Sequence, residues 1–213
     1  MAEEPSMFRA SMRRVPSPVV VVTAQGPREA RGITIGSLSS VALDPPLVSF
    51  NVARESRMFD VMEGCDRFAV HVLGEDQAHM AEQFAVPDLS GPEQFEAVPH
   101  VRDAHGTPIL EGGSAVLHCR THDSLPAGDH RLYVGLVMEI EERPDRGAVI
   151  YYKSSYRGVG SELRSTRLPP VNRASDPARY DFAFFGVGAQ DESLDARFTG
   201  GNRVDRSSLP TPR

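Results

Sequence analysis

The sequence predicts a mainly β protein: an antiparallel barrel, closed or split, with short helices at its periphery and a C-terminal extension. Seven short runs rich in Val, Ile and Phe, bounded by Gly, Pro and Asp, recur over the first three quarters of the chain. No strand–helix–strand unit repeats, so a parallel sheet is not expected. A barrel fits better, because closure removes the exposed edges that seven short strands would otherwise present.

The individual elements follow from the spacing of apolar residues. Strands are predicted at residues 18–24, 32–43, 47–52, 67–73, 114–122, 131–140 and 148–152. Two helices interrupt them, at 56–64 and at 75–84, because apolar residues recur there at helical spacing.

The composition changes at about residue 161. Residues 1–160 are predicted to form one barrel domain, and residues 161–213 a polar extension. An apolar segment within the extension, YDFAFFGVGAQ at 180–190, is expected to dock on the barrel or on a partner subunit. The last dozen residues are expected to be mobile.

Charge and cysteine content narrow the class of protein. The net charge of −6 gives no electrostatic basis for binding nucleic acid. No apolar run is long enough to span a membrane, and no signal peptide is recognised. Cys65 and Cys119 form no CxxC pair, as in proteins of a reducing compartment. The expected location is the cytoplasm.

The segment HCRTH raises the question of a metal site. On a strand, His118 and His122 share a face but lie ~13 Å apart, and Cys119 points to the other face. Zinc ligands must all lie within about 2.3 Å of the metal. No metal is therefore expected.

Ser56 and Arg57, in NVARESRMF, begin the first predicted helix. A hydroxyl and a guanidinium at such a position are typical of a phosphate-binding pair. The alternative is that Ser56 only caps the helix and Arg57 is solvated. The two residues alone do not decide between these interpretations.

Small residues dominate the stretch GITIGSLSSVALDPPLVSF at 32–50. If 36–43 is a strand, Ser37, Ser39 and Val41 share one face, and the other face carries Gly36, Leu38, Ser40 and Ala42. Small side chains would let a flat ring approach the backbone and its polar groups. A tightly packed strand or an edge strand would have the same composition.

Taken together, these motifs resemble the flavin reductase family, whose members share an FMN-binding split β-barrel. The matching segments are GITIGSLSSVALDPPLVSFNV, ESRMFDVM, RFAVHVLGEDQAHMAEQFA, GTPILEGGSAVLHC, AGDHRLYVGLV and VIYYKSSYR, in the order of the family. The resemblance covers residues 7–158. Its specificity lies in the combination of S-x-S-S-V-x-L-D-P-P, S-R and G-D-H.

The resemblance implies a homodimer that reduces FMN or FAD with NADH or NADPH and passes reduced flavin to a separate monooxygenase. His130 matches the histidine on the nicotinamide side and is the candidate catalytic residue, with orientation of the nicotinamide its favoured role. The implied flavin-binding residues are Gly36, Ser37, Leu38, Ser39, Ser40, Val41, Asn51, Ser56, Arg57, Phe84, Tyr152 and Tyr156.

The chain departs from the family pattern in two places. Ser17 and Pro18 stand where the family usually has Thr and Gly, and Ala42 stands where a serine is common. Two other functions remain open at this point. One is a flavin carrier or accessory protein without turnover, and the other is an enzyme that retains its flavin and acts directly on an organic substrate.

Overall fold

The structure is a computed structural model and describes residues 5–143 and 147–161. The helices are α1 (Pro5–Met12), α2 (Arg57–Glu63), α3 (Ala78–Ala85) and α4 (Gly91–Glu96), and a 3-10 turn (Glu75–Gln77) precedes α3. The strands are β1 (Ser17–Pro18), β2 (Val20–Gln25), β3 (Ala30–Ile35), β4 (Ser39–Leu43), β5 (Pro46–Ala53), β6 (Arg67–Val72), β7 (His100–Arg102), β8 (Pro108–Leu110), β9 (Ala115–Ala127), β10 (His130–Glu142), β11 (Val149–Tyr152) and β12 (Ser155–Gly158). From residue 162 onward, the predicted extension with its apolar segment 180–190 lies outside the described residues.

Seven strands form one large antiparallel sheet, which confirms the mainly β prediction. The order is β3-β2-β6-β9-β10-β5-β4. Its centre is the long hairpin of β9 and β10, which turns at Gly128 and Asp129. Smaller sheets are formed by β1-β11-β12 and by β7-β8. None of the helices in the described part of the chain is both long and apolar enough to cross a membrane.

Strand β2 lies between two apolar clusters, and this explains its unbroken run of valines. Val20 and Val22 belong to a cluster with Phe50 and Phe68, whereas Val21 packs on the opposite side. Because alternate side chains of a strand point to opposite faces, both faces of β2 must be apolar. Helix α2 packs into the first cluster, and α3 and α4 pack into the second.

The prediction of one strand over 32–43 was wrong. The structure has β3 and β4 there, separated at residues 36–38. Leu38 packs against the first apolar cluster, and a register shift between Ser40 and Ala42 disturbs the pairing of β4 with β5. The alternation of side chains expected over 36–43 therefore does not hold along the whole stretch.

The free edge of β3 is covered by the segment that contains α3 and α4. The side-chain amide of Gln94 bonds both the N–H and the carbonyl of Gly32, each at 3.1 Å. The hydroxyl of Thr34 donates to the carbonyl of Ala81 at 2.7 Å. These bonds satisfy backbone groups that an open edge would leave unpaired, and they place α3 beside β3.

Helix α2 is tied to β10 at its C-terminal end. Glu63 accepts two hydrogen bonds from Arg131, at 2.6 Å and 2.8 Å, and one from the Tyr133 hydroxyl at 2.9 Å. The aromatic ring of Tyr133 stacks on Phe50 in the core. These contacts fix the C-terminal end of α2 against β10, and Ser56 and Arg57 lie at its N-terminal end.

Candidate functional site

Two adjoining cavities run along β3. Their volumes are about 520 Å³ and about 440 Å³. Both are lined by Ile33, Thr34 and Ala53, so together they form one groove, called here the β3 groove. Each volume is in the range of small-molecule sites.

The larger end of the groove carries Ser56 and Arg57. The Ser56 hydroxyl accepts a hydrogen bond from the N–H of Met58 at 3.2 Å, so it caps α2 and also lines the cavity. Arg57 is exposed, and its Nη1 donates to the carbonyls of Asp88 and Leu89 at 3.3 Å and 3.5 Å. These bonds are long and their acceptors are neutral. The guanidinium could therefore donate stronger hydrogen bonds to an anion.

The smaller end of the groove collects Gly36, Ser37, Asn51 and His130. The Ser37 hydroxyl accepts a hydrogen bond from the N–H of Asn51 at 3.0 Å, which fixes the segment between β3 and β4 against β5. His130 enters this end because it pairs with Ala53 in the β10–β5 ladder.

The ring of His130 is oriented by its neighbour. Nδ1 of His130 lies 2.7 Å from a carboxylate oxygen of Asp129, and a carboxylate is an acceptor, so Nδ1 is the donor. This hydrogen bond is the main reason why the pKa of Asp129 lies below its ordinary value. The bond leaves Nε2 as the ring nitrogen free to contact a ligand.

Phe84 approaches the middle of the groove from α3. Its ring covers Gly32, where an added Cβ would lie 2.5 Å from the ring carbon Cδ1. Glycine is therefore required at position 32 for this approach. Phe84 also makes an edge contact with Phe95, with ring centroids 5.2 Å apart, so its position is well supported.

Seven of the implied residues thus lie along the groove: Gly36, Ser37, Asn51, Ser56, Arg57, Phe84 and His130. The others lie elsewhere. Leu38 packs on the core, and Ser39, Ser40 and Val41 belong to the edge strand β4, where Val41 is 52% exposed. Tyr152 lies beneath Lys153 and Arg157, and Tyr156 packs against Tyr151. Their roles stay predictions.

Five polar residues that line the groove were not predicted from the sequence: Arg31, Thr34, Glu55, Asp88 and Gln94. Thr34 lies where the two cavities meet, and Arg31 lines the larger one. Thr34 stands inside the small-residue stretch and could have been included with it. Arg31 carries no signal in the sequence, because a buried arginine and a solvated one look the same there.

The described residues offer little for metal or thiol chemistry. Within residues 5–143 and 147–161, no three His, Cys, Asp or Glu side chains are grouped so that they could hold a metal ion. His118 instead pairs with Glu141 at 2.9 Å. Burial raises the pKa of Cys65 to about 11 and that of Cys119 to about 12, which makes both thiols poor nucleophiles.

The β3 groove therefore suits an elongated ligand. One end offers a hydroxyl and guanidinium groups, which favour a phosphate. The other end offers small residues, backbone groups and an oriented imidazole, and the walls between them, Ile33 and Phe84, are apolar.

The chain is similar in sequence to proteins of one family. The family model of the flavin reductase like domain matches residues 12–160. The reductase component of 4-hydroxyphenylacetate 3-monooxygenase from Thermus thermophilus is 35% identical over 150 residues, which cover 70% of this chain and 93% of that protein. The reductase subunit of stachydrine N-demethylase from Rhizobium meliloti is 36% identical over 217 residues, covering 97% of this chain and 93% of that protein.

A solved structure shares the fold. An NADH:FAD oxidoreductase from Streptomyces globisporus, in complex with NAD and FAD fragments, is 30% identical and superimposes with a TM-score of 0.70. The superposition covers 77% of this chain and 99% of that one.

Proposed function

The chain belongs to the flavin reductase like domain family, and on that premise we propose that it is an NAD(P)H-dependent flavin reductase. It reduces FMN or FAD by hydride transfer and supplies the reduced flavin to a partner monooxygenase. The observation that carries this proposal is the β3 groove, which has a hydroxyl and a guanidinium, Ser56 and Arg57, at one end and an imidazole, His130, at the other.

The residues of the groove fit a flavin. A flavin phosphate suits the Ser56 hydroxyl and the Arg57 guanidinium, because charge-assisted hydrogen bonds to phosphate are strong. The isoalloxazine suits the end with Gly36 and Ser37, because small residues let a flat ring approach the backbone closely. When bound, the flavin supplies the redox chemistry by accepting a hydride from the nicotinamide.

The protein's own task is binding and orientation. Ser37 and Asn51 fix the backbone at the ring end, and Phe84 supplies an apolar wall. His130, held by Asp129, orients the nicotinamide. Hydride transfer to a flavin needs no general acid, so no proton transfer is assigned to His130.

We also propose the finer features of the family for this chain: a split β-barrel, a homodimer and a cytoplasmic location. The exposed apolar side chains of Met7, Phe8 and Val41 support an association of subunits. Both cysteines are free thiols, as expected in a reducing compartment.

Residues 161–213 are proposed to form a separate extension that serves the oxygenase partner rather than the flavin. The Thermus thermophilus reductase component aligns over 93% of its own length while matching only 70% of this chain. A reductase of this family therefore does not need a segment of this length. The stachydrine N-demethylase reductase subunit, by contrast, aligns over nearly the whole chain.

Anaerobic reduction of excess free flavin tests the proposal. Protein is mixed with NADH or NADPH and with FMN or FAD in large molar excess over protein, and the flavin absorbance is followed. We expect all of the flavin to be bleached. Bleaching that stops at one equivalent per protein would instead indicate an enzyme that retains its flavin, and absence of bleaching would indicate a carrier.

A further inference from the structure

Two arginines converge on one carbonyl oxygen at the larger end of the β3 groove. Nη2 of Arg31 donates to the carbonyl of Leu89 at 2.7 Å, and Nη1 of Arg57 lies 3.5 Å from the same oxygen. The distance between these two nitrogens therefore cannot exceed the sum of their distances to the Leu89 oxygen. Both side chains line the 520 Å³ cavity.

The two positive charges are only partly compensated. Arg31 pairs with Glu29 at 2.8 Å, and this hydrogen bond is the main cause of the lowered pKa of Glu29, to which the charge of Arg57 also contributes. Arg57 forms no ion pair with any residue that the structure describes, although Glu55 and Asp88 line the same cavity. Like charges held this close favour the binding of an anion between them.

Burial distinguishes Arg31 from a solvated arginine. Its side chain is only 4% exposed, whereas Glu29 is 37% exposed. A guanidinium has five N–H donors in a rigid fork, so its bonds to Glu29 and Leu89 do not exhaust it. Its position is fixed by these bonds before any ligand arrives, which lowers the cost of ordering the site.

The wall beside the two arginines is apolar. Val86, which is 41% exposed, and Pro87 line the cavity next to Asp88, and the apolar side chain of Met58 also lines it. A site for a terminal monophosphate needs neither a second guanidinium nor an apolar surface beyond it. A pyrophosphate followed by a purine ring would use both.

We propose that Arg31 is the second cation of a pyrophosphate site and that the preferred flavin is the dinucleotide, FAD, with its adenine against Val86 and Pro87. This inference rests on the proposed function and names the substrate of that same groove. Arg57 holds the phosphate on the ribityl side, and Arg31 holds the phosphate on the adenosine side.

Binding measured without nicotinamide tests this inference in the unmodified protein first. Quenching of flavin fluorescence gives the Kd of riboflavin, FMN and FAD. We expect affinity to rise in that order, with FAD bound about tenfold more tightly than FMN. Equal affinity for FMN and FAD, or tighter binding of FMN, would overturn the inference while leaving the proposed function intact. If no flavin binds, the proposed function fails with it.

Variants then separate ligand binding from a purely structural role. We expect Arg31→Gln to raise the Kd of FAD about tenfold and that of FMN less than about threefold. Arg31→Lys, which keeps the charge, should recover part of the affinity for FAD. The matched control is Arg28→Gln, which removes the same charge at an exposed position outside the cavity.

A purely structural role of Arg31 predicts a different result. If Arg31 only holds the 86–90 segment through Leu89, both Arg31 variants will weaken FMN and FAD binding by the same factor. That outcome contradicts the pyrophosphate site. Thermal unfolding of each variant shows whether it is folded. If the Arg31 variants are not folded, the ratio of FMN to FAD affinity in the unmodified protein decides whether the pyrophosphate site exists.

Discussion

The backbone N–H of Asn51 donates to the hydroxyl of Ser37 at 3.0 Å, across the gap between β5 and the segment that precedes β4. This one bond explains why a chain would place a serine there. The hydroxyl takes the place of a backbone carbonyl where strand pairing is interrupted, and it keeps the smaller end of the β3 groove in shape.

Ser37→Ala removes that bond. We expect the free energy of unfolding to fall by about 1 kcal/mol, since a partly buried N–H loses its acceptor, and the KM for flavin to rise. Ser39→Ala is the control, because Ser39 is exposed and its hydroxyl donates a long hydrogen bond, 3.3 Å, to the carbonyl of the next residue, Ser40. Urea unfolding and flavin titrations measure both effects. An equal rise in KM for Ser39→Ala would show that β4 contacts the flavin, as the family resemblance implies.

Arg57→Gln tests the phosphate end of the groove. Loss of a charge-assisted bond should raise the Kd of FMN about tenfold and leave that of riboflavin, which has no phosphate, nearly unchanged. The exposed Arg28→Gln again controls for the change in net charge. A parallel loss of riboflavin and FMN affinity would mean that Arg57 supports the fold and does not bind the phosphate.

His130→Ala and Asp129→Asn test the nicotinamide side. Because Asp129 orients the imidazole through Nδ1, we expect both variants to raise the KM for the reduced nicotinamide, His130→Ala more strongly, with flavin affinity retained. Steady-state kinetics at fixed flavin and a separate flavin titration measure the two quantities. An unaltered nicotinamide KM in His130→Ala would remove His130 from the site.

His71 makes stability depend on pH. It is fully buried, with Nδ1 donating to the carbonyl of Val21 and Nε2 accepting from the N–H of Leu110. Burial lowers its pKa from 6.5 to about 4, so the folded state binds this proton more weakly than the unfolded chain. The neutral ring therefore contributes its full stability above about pH 6.5 and loses it as the pH falls toward about 4.

The expected slope is up to about 1.4 kcal/mol per pH unit in that window. Urea unfolding is measured from about pH 7.5 down to about pH 5, which lies above the usual pKa of carboxylates. It gives the slope for the unmodified protein and for His71→Gln. The variant should be less stable at neutral pH and should show a flatter profile. The same slope in both proteins would assign the pH dependence to other groups.

The mainly β class was predictable because most strands are bounded by turn residues and are strongly apolar. The predicted strand at 67–73 is β6 almost residue for residue, since both of its faces are buried. The strand at 32–43 was predicted as one element although Gly36, a residue that often interrupts a strand, stands at the start of the break. The packing of Leu38 into the core, which accompanies the break, depends on tertiary contacts and is not visible locally.

Helix α4 shows a signal that was present and overlooked. Ser90 and Glu93 form a capping box, in which the Ser90 hydroxyl accepts from the N–H of Glu93 and the Glu93 carboxylate accepts from the N–H of Ser90. The sequence S-G-P-E is typical of such a helix start. The helix is only six residues long, which hid its periodicity.

The candidate site was predictable only in part. Ser56 and Arg57 are adjacent in sequence and could be proposed as a pair. The approach of His130 to Asn51 depends on the register of β10 against β5, which sets His130 opposite Ala53, and no spacing in the sequence encodes it. Arg31 could not be predicted at all, because its burial results from the packing of the α3–α4 segment on β3.

Sustained oxidation of nicotinamide in air tests the central claim most directly. Purified protein is mixed with NADH or NADPH, with and without free FMN or FAD, and the absorbance of the reduced nicotinamide is followed. We expect continuous oxidation over many equivalents that depends on added flavin, because reduced flavin leaves the protein and reacts with oxygen. Oxidation of a single equivalent, or none at all, with flavin present would contradict the assignment as a flavin reductase.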